Sequence, residues 1–443
     1  MPDVITLTAI QGALQGKKYI FDSRTTCLVG RSEDCQIMLP NDEEHRGISR
    51  YHCLLDINPP SICIRDFGSL NGTLVDGQNI GQRLPGQTPE EGAKLDLPEY
   101  DLHTGNQIQL SNTVFQVEIE VYEVPVFSQS APANLSEIVV KLIAEAMNGD
   151  RDLAAIKGYR LLKTIGVGGC GEVFLAEHLE SHQLMALKVM LPEVATTERA
   201  VQMFLREINI SRLLDHPNLV QLRDYGHGDG TFFMTMEYCE AGSAIDLMKQ
   251  YDGKLPVDLA VDLIIQVLTG LEYAHQLDIS TQIGEETILA RGLVHRDLKP
   301  GNILLKAKGE RLVAKVADFG LAKAFDLAGL SGMTMSGKGM GTPLFMCRQQ
   351  LIDFKYSKPE IDVWAAAASL YFLLTGEISR EFARGEDPFV AVLKNPPVPI
   401  RQRDPQIPPA LAETIDLALI DNPELHFKTA SRFREALQAA MKQ

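Results

Sequence analysis

The chain has 443 residues, of which 45% are hydrophobic, so it can form more than one core and does not have the composition of a disordered protein. Its formal net charge of −16 disfavours a large surface for nucleic acid or for an anionic membrane. The seven cysteines lack CxxC and Cys/His ligand spacings, which argues against zinc. We expect a multidomain protein with no nucleic-acid partner.

The N-terminal stretch MPDVITLTAI has no basic segment followed by an apolar one, so the sequence predicts no secretory signal. The longest apolar run lies within VWAAAASLYFLLTG and is too short to span a bilayer. We therefore expect a cytoplasmic protein without a membrane partner.

Residues 1–124 contain short β-rich runs separated by turn residues, from VITLTAI to TVFQVEIEVYEV. Strands at this spacing, with no helical period between them, predict an antiparallel all-β sandwich. A stretch rich in Ser, Pro and Ala follows, and apolar residues then recur at helical spacing from Leu135 to Met147. Residues 125–158 are predicted to be a linker with one amphipathic helix.

From Tyr159 the pattern changes to strand, glycine loop and strand, in YRLLKTIGVGGCGEVFLAEHLESHQLMALKVM. Gly166, Gly168 and Gly171 alone fit either a phosphate-binding hairpin or a dinucleotide site. A dinucleotide fold would place a helix directly after the glycines, whereas EVFLAEHL has a strand pattern and leads to a second strand with Lys188. Glycines let backbone N–H groups approach phosphates, and an ammonium on a strand can hold the α- and β-phosphates.

Two later motifs, LVHRDLKPGNILL and KVADFGLAK, follow in a fixed order. With the glycine loop they resemble the eukaryotic-like serine/threonine protein kinases, and Gly301 resembles bacterial members. The resemblance implies an α+β bilobal kinase fold over residues 159–443, with an N-lobe of 159–238 and a C-lobe of 239–443. It also implies ATP with Mg²⁺ or Mn²⁺ as cofactors, and Ser/Thr hydroxyls of protein substrates as acceptors.

The same resemblance assigns the site. The implied catalytic residues are Asp297, Lys299, Lys188 and Glu207. Asp297 would accept the hydroxyl proton, Lys188 would pair with Glu207, and Asn302 and Asp318 would bind the metal. The nucleotide would lie against Ile165, Gly166, Gly168, Gly171, Val173, Ala186, Lys188, Met236, Glu237 and Cys239. Inactive members of the kinase family usually lack the lysine, the base or a metal ligand. All four of these residues are present in this sequence, which favours an active kinase over the alternative of a catalytically inactive scaffold.

Three stretches of the first region, CLVGRSEDC, GISRYHC and GSLNGTLVDG, resemble the forkhead-associated (FHA) domain, a β-sandwich that binds phosphothreonine peptides through its loops. The resemblance implies a phosphopeptide site at Arg31, Ser49, Arg50 and Asn71, with His52 supporting the loop. A guanidinium and short polar side chains suit phosphate recognition. The alternative is a sandwich that only docks on the kinase region.

Two departures from the family patterns stand out. Leu70 occupies a position where FHA domains usually have Ser or Thr, so one phosphate hydrogen bond is expected to be missing. Cys347-Arg348-Gln349 stands where kinases have Ala-Pro-Glu, and His426 occupies the place of the arginine that pairs with that glutamate. Because both ends of an ion pair differ, we expect a compensated structure.

The triplet Asp-Phe-Gly occurs twice, at residues 66–68 and 318–320. Since the first copy has no lysine strand or catalytic loop near it, we interpret it as a coincidence and the second copy as the metal site. The long segment after the second copy contains Thr334, the predicted autophosphorylation site, whose phosphate would pair with Arg296.

Overall fold

The computed structural model describes residues 4–22, 25–43, 45–84, 86–88, 95, 97–120, 158–168, 171–190, 208, 211–212, 214–228, 231–283, 286–309, 311–319, 343–352, 357–382 and 388–442. The predicted amphipathic helix at 135–147 lies outside these residues, as does the linker except for Gly158. The predicted domain boundaries therefore stay a prediction.

The N-terminal region is a sandwich of two β-sheets, as the sequence predicted. Its strands are β1 (Val4–Gln11), β2 (Lys18–Phe21), β3 (Thr25–Gly30), β4 (Ile37–Met38), β5 (Cys53–Asn58), β6 (Ser61–Asp66), β7 (Thr73–Val75), β8 (Gln78–Gly81), β9 (Tyr100–Asp101), β10 (Gln107–Leu110) and β11 (Thr113–Glu120). One sheet has the order β2-β1-β11-β10-β7-β8 and the other β4-β3-β5-β6-β9. Only the β3–β4 pair is parallel among the described strand pairs.

The sandwich core lies between the two sheets, because alternate side chains of each strand point inward. Ile5 and Leu7 of β1 face Val29 of β3 and Leu55 of β5 across this core, and all four are buried. The loops at one end, between β3 and β4 and between β4 and β5, carry the residues predicted to bind phosphate.

The predicted N-lobe is an antiparallel sheet of five strands. These are β12 (Tyr159–Gly168), β13 (Gly171–His178), β14 (Leu184–Met190), β15 (Leu222–Gly228) and β16 (Thr231–Glu237), in the order β12-β13-β14-β16-β15. The glycine loop is the turn of the β12–β13 hairpin, where Gly168 pairs with Gly171. No helix follows the glycines directly, so the sheet excludes the dinucleotide alternative.

The C-lobe is mainly helical. Its helices are α1 (Ala244–Met248), α2 (Val257–Gln276), α3 (Arg348–Ile352), α4 (Glu360–Thr375), α5 (Pro388–Lys394), α6 (Ile400–Arg403), α7 (Pro409–Ala418) and α8 (Ala430–Ala440). Two short 3₁₀ turns cover Lys249–Tyr251 and Pro300–Asn302, and two hairpins pair β17 (Asp278–Ile283) with β18 (Glu286–Arg291) and β19 (Ile303–Lys308) with β20 (Arg311–Val316).

Helix α4 is the centre of the C-lobe. Its sequence EIDVWAAAASLYFLLT is apolar around nearly the whole circumference, and helices of that kind pack on all sides. It contacts α2, α7 and α8, and ends where Gly376 adopts a left-handed conformation at φ 72°. Within the described ranges, no helix combines the length and the apolar character needed to cross a membrane.

Candidate active site and phosphopeptide site

The catalytic loop brings three predicted residues together. Lys299 Nζ lies 2.9 Å from Asp297 Oδ2, and the Asn302 side-chain amide donates to the Asp297 carbonyl oxygen at 2.7 Å and to Oδ2 at 3.2 Å. The Asp297 side chain is 54% exposed, so its carboxylate can reach a substrate hydroxyl. Such an exposed carboxylate beside an ammonium suits a base in phosphoryl transfer.

Asp362, on α4, holds the backbone of this loop. Its carboxylate accepts from the backbone N–H of His295 at 2.7 Å and of Arg296 at 2.9 Å, and from His275 Nε2 at 2.8 Å. Burial alone would raise the pKa of Asp362, but the hydrogen bonds and charges of the two histidines lower it below its usual value. Asp362 was not among the site residues predicted from the sequence, although an acid within an otherwise apolar helix was a signal for it.

His295 links the catalytic loop to the second Asp-Phe-Gly segment. Its Nε2 donates to the Ala317 carbonyl oxygen at 2.8 Å, and its Nδ1 accepts from the Asp297 N–H at 3.2 Å. The ring also packs edge-on against Phe319, with centroids 5.1 Å apart. These contacts give His295 a structural role.

The predicted lysine contacts the predicted metal ligand. Lys188 Nζ lies 2.8 Å from Asp318 Oδ1. Burial would raise the pKa of Asp318, but the charge of Lys188 lowers it below its usual value, so the carboxylate stays ionised and able to bind a cation. Glu207, the predicted partner of Lys188, lies outside the described residues, and its role stays a prediction.

Several residues predicted to contact the nucleotide lie on four neighbouring strands of one sheet, β12, β13, β14 and β16. Ala186 of β14 pairs with Met236 of β16, and both side chains are buried, whereas Ile165 in the hairpin is 39% exposed. Val173 pairs with Gly166 in the same hairpin. These apolar residues form the kind of surface on which a flat base can pack.

Glu237 and Cys239 mark the connection between the lobes. The Glu237 carboxylate is held by Lys306 at 2.7 Å and Lys315 at 2.9 Å, both on the β19–β20 hairpin. Its side chain therefore fastens the two lobes, and only its backbone remains for a nucleotide. Burial raises the pKa of the Cys239 thiol to about 12, so this cysteine is not a reactive thiolate.

The loops predicted to bind phosphopeptide lie at one end of the sandwich. Arg31 Nε donates to the Ile48 carbonyl oxygen at 2.5 Å, and its Nη1 donates to Asn41. Ser49 Oγ accepts from the Leu70 N–H at 3.2 Å, and Asn71 is tied to Gly47 by a 3.1 Å hydrogen bond. Arg50 is exposed beside them.

His52 supports these loops from beneath, as predicted. Its Nδ1 accepts from the Ser49 N–H and its Nε2 donates to the Gly72 carbonyl oxygen, both at 3.1 Å. The residue is fully buried, and burial lowers its pKa, which keeps the ring neutral and able to make one bond of each kind.

The first Asp-Phe-Gly triplet has a structural role. Asp66 is buried and its carboxylate accepts from the Ser69 N–H and hydroxyl, each at 2.7 Å, and from the Thr73 hydroxyl at 2.6 Å. It thereby shapes the turn that carries Asn71. Leu70 is 44% exposed and contributes its backbone N–H to Ser49 but no side-chain hydroxyl.

Near Cys347-Arg348-Gln349, which replaces the Ala-Pro-Glu of the family, the structure contains a different ion pair from the one in the family pattern. Gln349 Nε2 donates to the Asp421 carbonyl oxygen at 2.5 Å, while the buried guanidinium of Arg380 pairs with the Asp421 carboxylate. Arg380 also lies over the Trp364 ring at 4.6 Å. His426 is exposed, so the compensation that the sequence suggested is supplied by Arg380 instead.

Comparisons with known proteins identify a domain family in each of the two regions. The FHA domain model matches residues 27–111, and the protein kinase domain model matches residues 159–410. The serine/threonine-protein kinase PknA of Mycobacterium tuberculosis is 31% identical over 288 residues, covering 63% of this chain and 61% of PknA. Pkn3 of Myxococcus xanthus is 33% identical over 294 residues, covering 64% of this chain and 50% of the relative.

The chain thus matches less than two thirds of the length of these curated relatives. A crystal structure of Rad53 residues 1–466 in complex with AMP-PNP aligns over 98% of this chain and 99% of that one, with 18% identity and a TM-score of 0.49. The kinase model covers more than half of the sequence and includes the whole catalytic loop. The chain belongs to the protein kinase family, with an FHA domain before the kinase domain.

Proposed function

We propose that this chain is an ATP-dependent serine/threonine protein kinase whose FHA domain binds phosphothreonine peptides. The observation that carries the proposal is that four predicted groups form two contacting pairs, which one backbone hydrogen bond joins. Lys188 contacts Asp318, and Asn302 contacts Asp297. A backbone hydrogen bond from Ala317 to the Asn302 carbonyl, 2.8 Å long, joins the two pairs.

The donor set fits Mg²⁺, or Mn²⁺, with ATP. Mg²⁺ is commonly bound by one or two carboxylates or amide oxygens together with substrate phosphates, and Asp318 and Asn302 supply groups of this kind. When bound, Mg-ATP supplies the phosphoryl group and neutralises its charge.

The residues of the chain then have separate tasks. Lys188 holds the α- and β-phosphates, and the hairpin glycines let backbone N–H groups approach them. Asp297 orients the substrate hydroxyl and takes its proton, while Lys299, 2.9 Å from that carboxylate, neutralises charge on the transferred group. Asn302 keeps Asp297 in place through its 2.7 Å hydrogen bond.

Lys299 also indicates the hydroxyl class. Its place two residues after the base, and Thr342 in the GTP stretch, are features of Ser/Thr kinases in the family resemblance. Thr342 and the proposed autophosphorylation site Thr334 lie outside the described residues. We place the enzyme in the cytoplasm, with protein substrates and no nucleic-acid partner.

Phosphothreonine binding by the FHA domain rests on the loop geometry. Arg31 and Ser49 lie on loops tied together by the Arg31–Ile48 and Arg31–Asn41 hydrogen bonds, and the exposed Arg50 adds charge. A guanidinium forms charge-assisted hydrogen bonds with phosphate, and Asn71 can hold the peptide backbone.

The test is incubation of the purified chain with Mg-ATP, followed by mapping of phosphorylated residues by mass spectrometry. The wild type should incorporate phosphate, including at Thr334, and Asp297→Asn should not. Asp258→Asn, an exposed acid at the start of α2, is the matched control and should behave as wild type. ATP binding without any incorporation by the wild type would support the inactive scaffold instead.

A further inference from the structure

Strands β3 and β5 of the FHA sandwich are buried on both faces. All six residues of β5 and five of the six in β3 are buried. A sandwich strand normally has alternate residues in water, so something must cover the outer face of this sheet. Leu28 and Leu54 point outward and pack against α3 and α5 of the C-lobe, and Phe67 of the first triplet joins them. The C-lobe residues of this cluster are Leu351, Phe389, Val390, Val392 and Leu393.

One C-lobe arginine makes an ion pair and a hydrogen bond across this interface. Arg348 Nη2 lies 2.5 Å from Asp34 Oδ2 and 2.5 Å from the Tyr51 hydroxyl, which itself donates to Asp34 at 2.5 Å. The Arg348 side chain is only 12% exposed. A further hydrogen bond runs from the Thr26 hydroxyl to the Leu351 carbonyl oxygen at 3.1 Å. An apolar patch with a half-buried ion pair at its edge is typical of a specific interface.

Arg348 is also a residue at which this sequence departs from the kinase family pattern. Arg348 stands where the family has the proline of Ala-Pro-Glu, and proline offers neither a charge nor a donor. The same helix contacts the catalytic loop, because Gln350 Nε2 donates to the Arg296 carbonyl oxygen at 2.6 Å. The substitution therefore links the FHA domain to the part of the C-lobe that supports catalysis.

The interface also shares its loops with the phosphate site. Asp34 is three residues from Arg31, and Tyr51 is two residues from Ser49, so the Cα atoms of each of these two residue pairs lie within about 10 Å of each other. Burial would raise the pKa of Asp34, but the Tyr51 hydrogen bond and the Arg348 charge lower it, so Asp34 is ionised in the docked state. Without Arg348, this negative charge would face an incoming dianionic phosphate uncompensated.

We infer that Arg348 docks the FHA domain on the C-lobe of the same chain, and that docking raises the affinity of the domain for phosphothreonine peptides. This inference rests on the phosphopeptide function proposed above. Because coupling between two equilibria is reciprocal, a bound phosphopeptide also stabilises the docked arrangement. Substrates that already carry phosphothreonine would thus be held beside the catalytic half by one preferred domain arrangement.

The affinity test uses the full chain and a phosphothreonine peptide, with its unphosphorylated twin, at low salt. Arg348→Gln should weaken phosphopeptide binding about threefold, the scale of one unit charge acting on a dianion about 10 Å away in water. Arg432→Gln is the matched control, since that side chain is 77% exposed on α8, and it should bind as wild type does. The Arg348→Gln effect should shrink as salt is added.

Docking itself is measured by small-angle X-ray scattering of the full chain without peptide. Asp34→Arg and Arg348→Asp should each increase the radius of gyration, and the double variant that exchanges the two charges should restore it. Asp34→Arg leaves the kinase half untouched, so the test does not depend on how well Arg348→Asp folds. Glu33→Arg, an exposed neighbour, is the control.

The results of these experiments test docking, coupling and the phosphopeptide function separately. Unchanged scattering in both single variants, or no recovery in the exchanged pair, overturns docking through Arg348. Phosphopeptide binding that is equal in wild type and Arg348→Gln overturns the coupling alone. A wild-type chain that binds the phosphorylated and unphosphorylated peptides equally overturns the phosphopeptide function, and the coupling with it.

Discussion

Replacement of Asp362 by asparagine tests how the C-lobe core positions the catalytic loop. The carboxylate accepts three hydrogen bonds, two at Oδ2 from His275 and His295 and one at Oδ1 from Arg296. An asparagine can keep its oxygen at the Oδ2 position, but its NH₂ group then faces the Arg296 N–H. Two donors would oppose each other within a site where Asp362 is 1% exposed.

The magnitude follows from these contacts. A hydrogen bond to a charged group contributes about 1.5–3 kcal/mol, and an unsatisfied buried donor adds a penalty of similar size. We expect Asp362→Asn to lower the free energy of unfolding by about 3 kcal/mol. Phosphotransfer should fall by about 10²-fold, because Asp297 directly follows the displaced Arg296 and a misplaced base loses that much.

The assay is urea unfolding together with phosphotransfer on the same preparations, with Asp258→Asn as the control of equal chemistry. The pH dependence provides a second readout. Since the pKa of Asp362 is depressed in the fold, its ionised form stabilises the protein above the unfolded pKa of about 3.9, and this contribution is lost as pH falls through the lower folded pKa. The stability gap between wild type and variant should therefore narrow at acidic pH. A loss below about 1 kcal/mol with normal phosphotransfer would refute this account of Asp362.

Three further predictions concern other parts of the molecule. Lys188→Met should reduce phosphotransfer by about 10²-fold or more with little change in melting temperature, and near-normal turnover would reject its role as a phosphate clamp. Arg31→Ala should weaken phosphothreonine peptide binding by about 1.5–3 kcal/mol in calorimetric titration, and an unchanged affinity would argue for a sandwich that only docks. Arg380→Met should lower the free energy of unfolding by about 3–5 kcal/mol, because it leaves the buried Asp421 carboxylate without its cationic partner. A change in unfolding free energy as small as that of the exposed Arg432→Met would show that the ion pair contributes little.

The sequence by itself determined the domain types and most candidate site residues. Asp297, Lys299 and Asn302 lie within six residues of one another, so their spacing alone brings them to one loop. The strand pattern around Lys188 and the glycine hairpin is equally local, because alternation and turn residues depend on neighbours in the chain. The motifs around each Asp-Phe-Gly triplet were also enough to decide which of the two copies is the predicted metal site.

Tertiary structure alone decided which distant groups meet. Asp362 lies 65 residues after Asp297 in the sequence, and only the packing of α4 brings its carboxylate under the catalytic loop. The replacement of the family ion pair by Arg380 and Asp421 depends on the same core. The docking of Arg348 on Asp34 joins residues 314 positions apart, and no periodicity or spacing encodes such a contact. The physical reason is that burial and electrostatic pairing act through space, whereas sequence patterns report only the environment along one element.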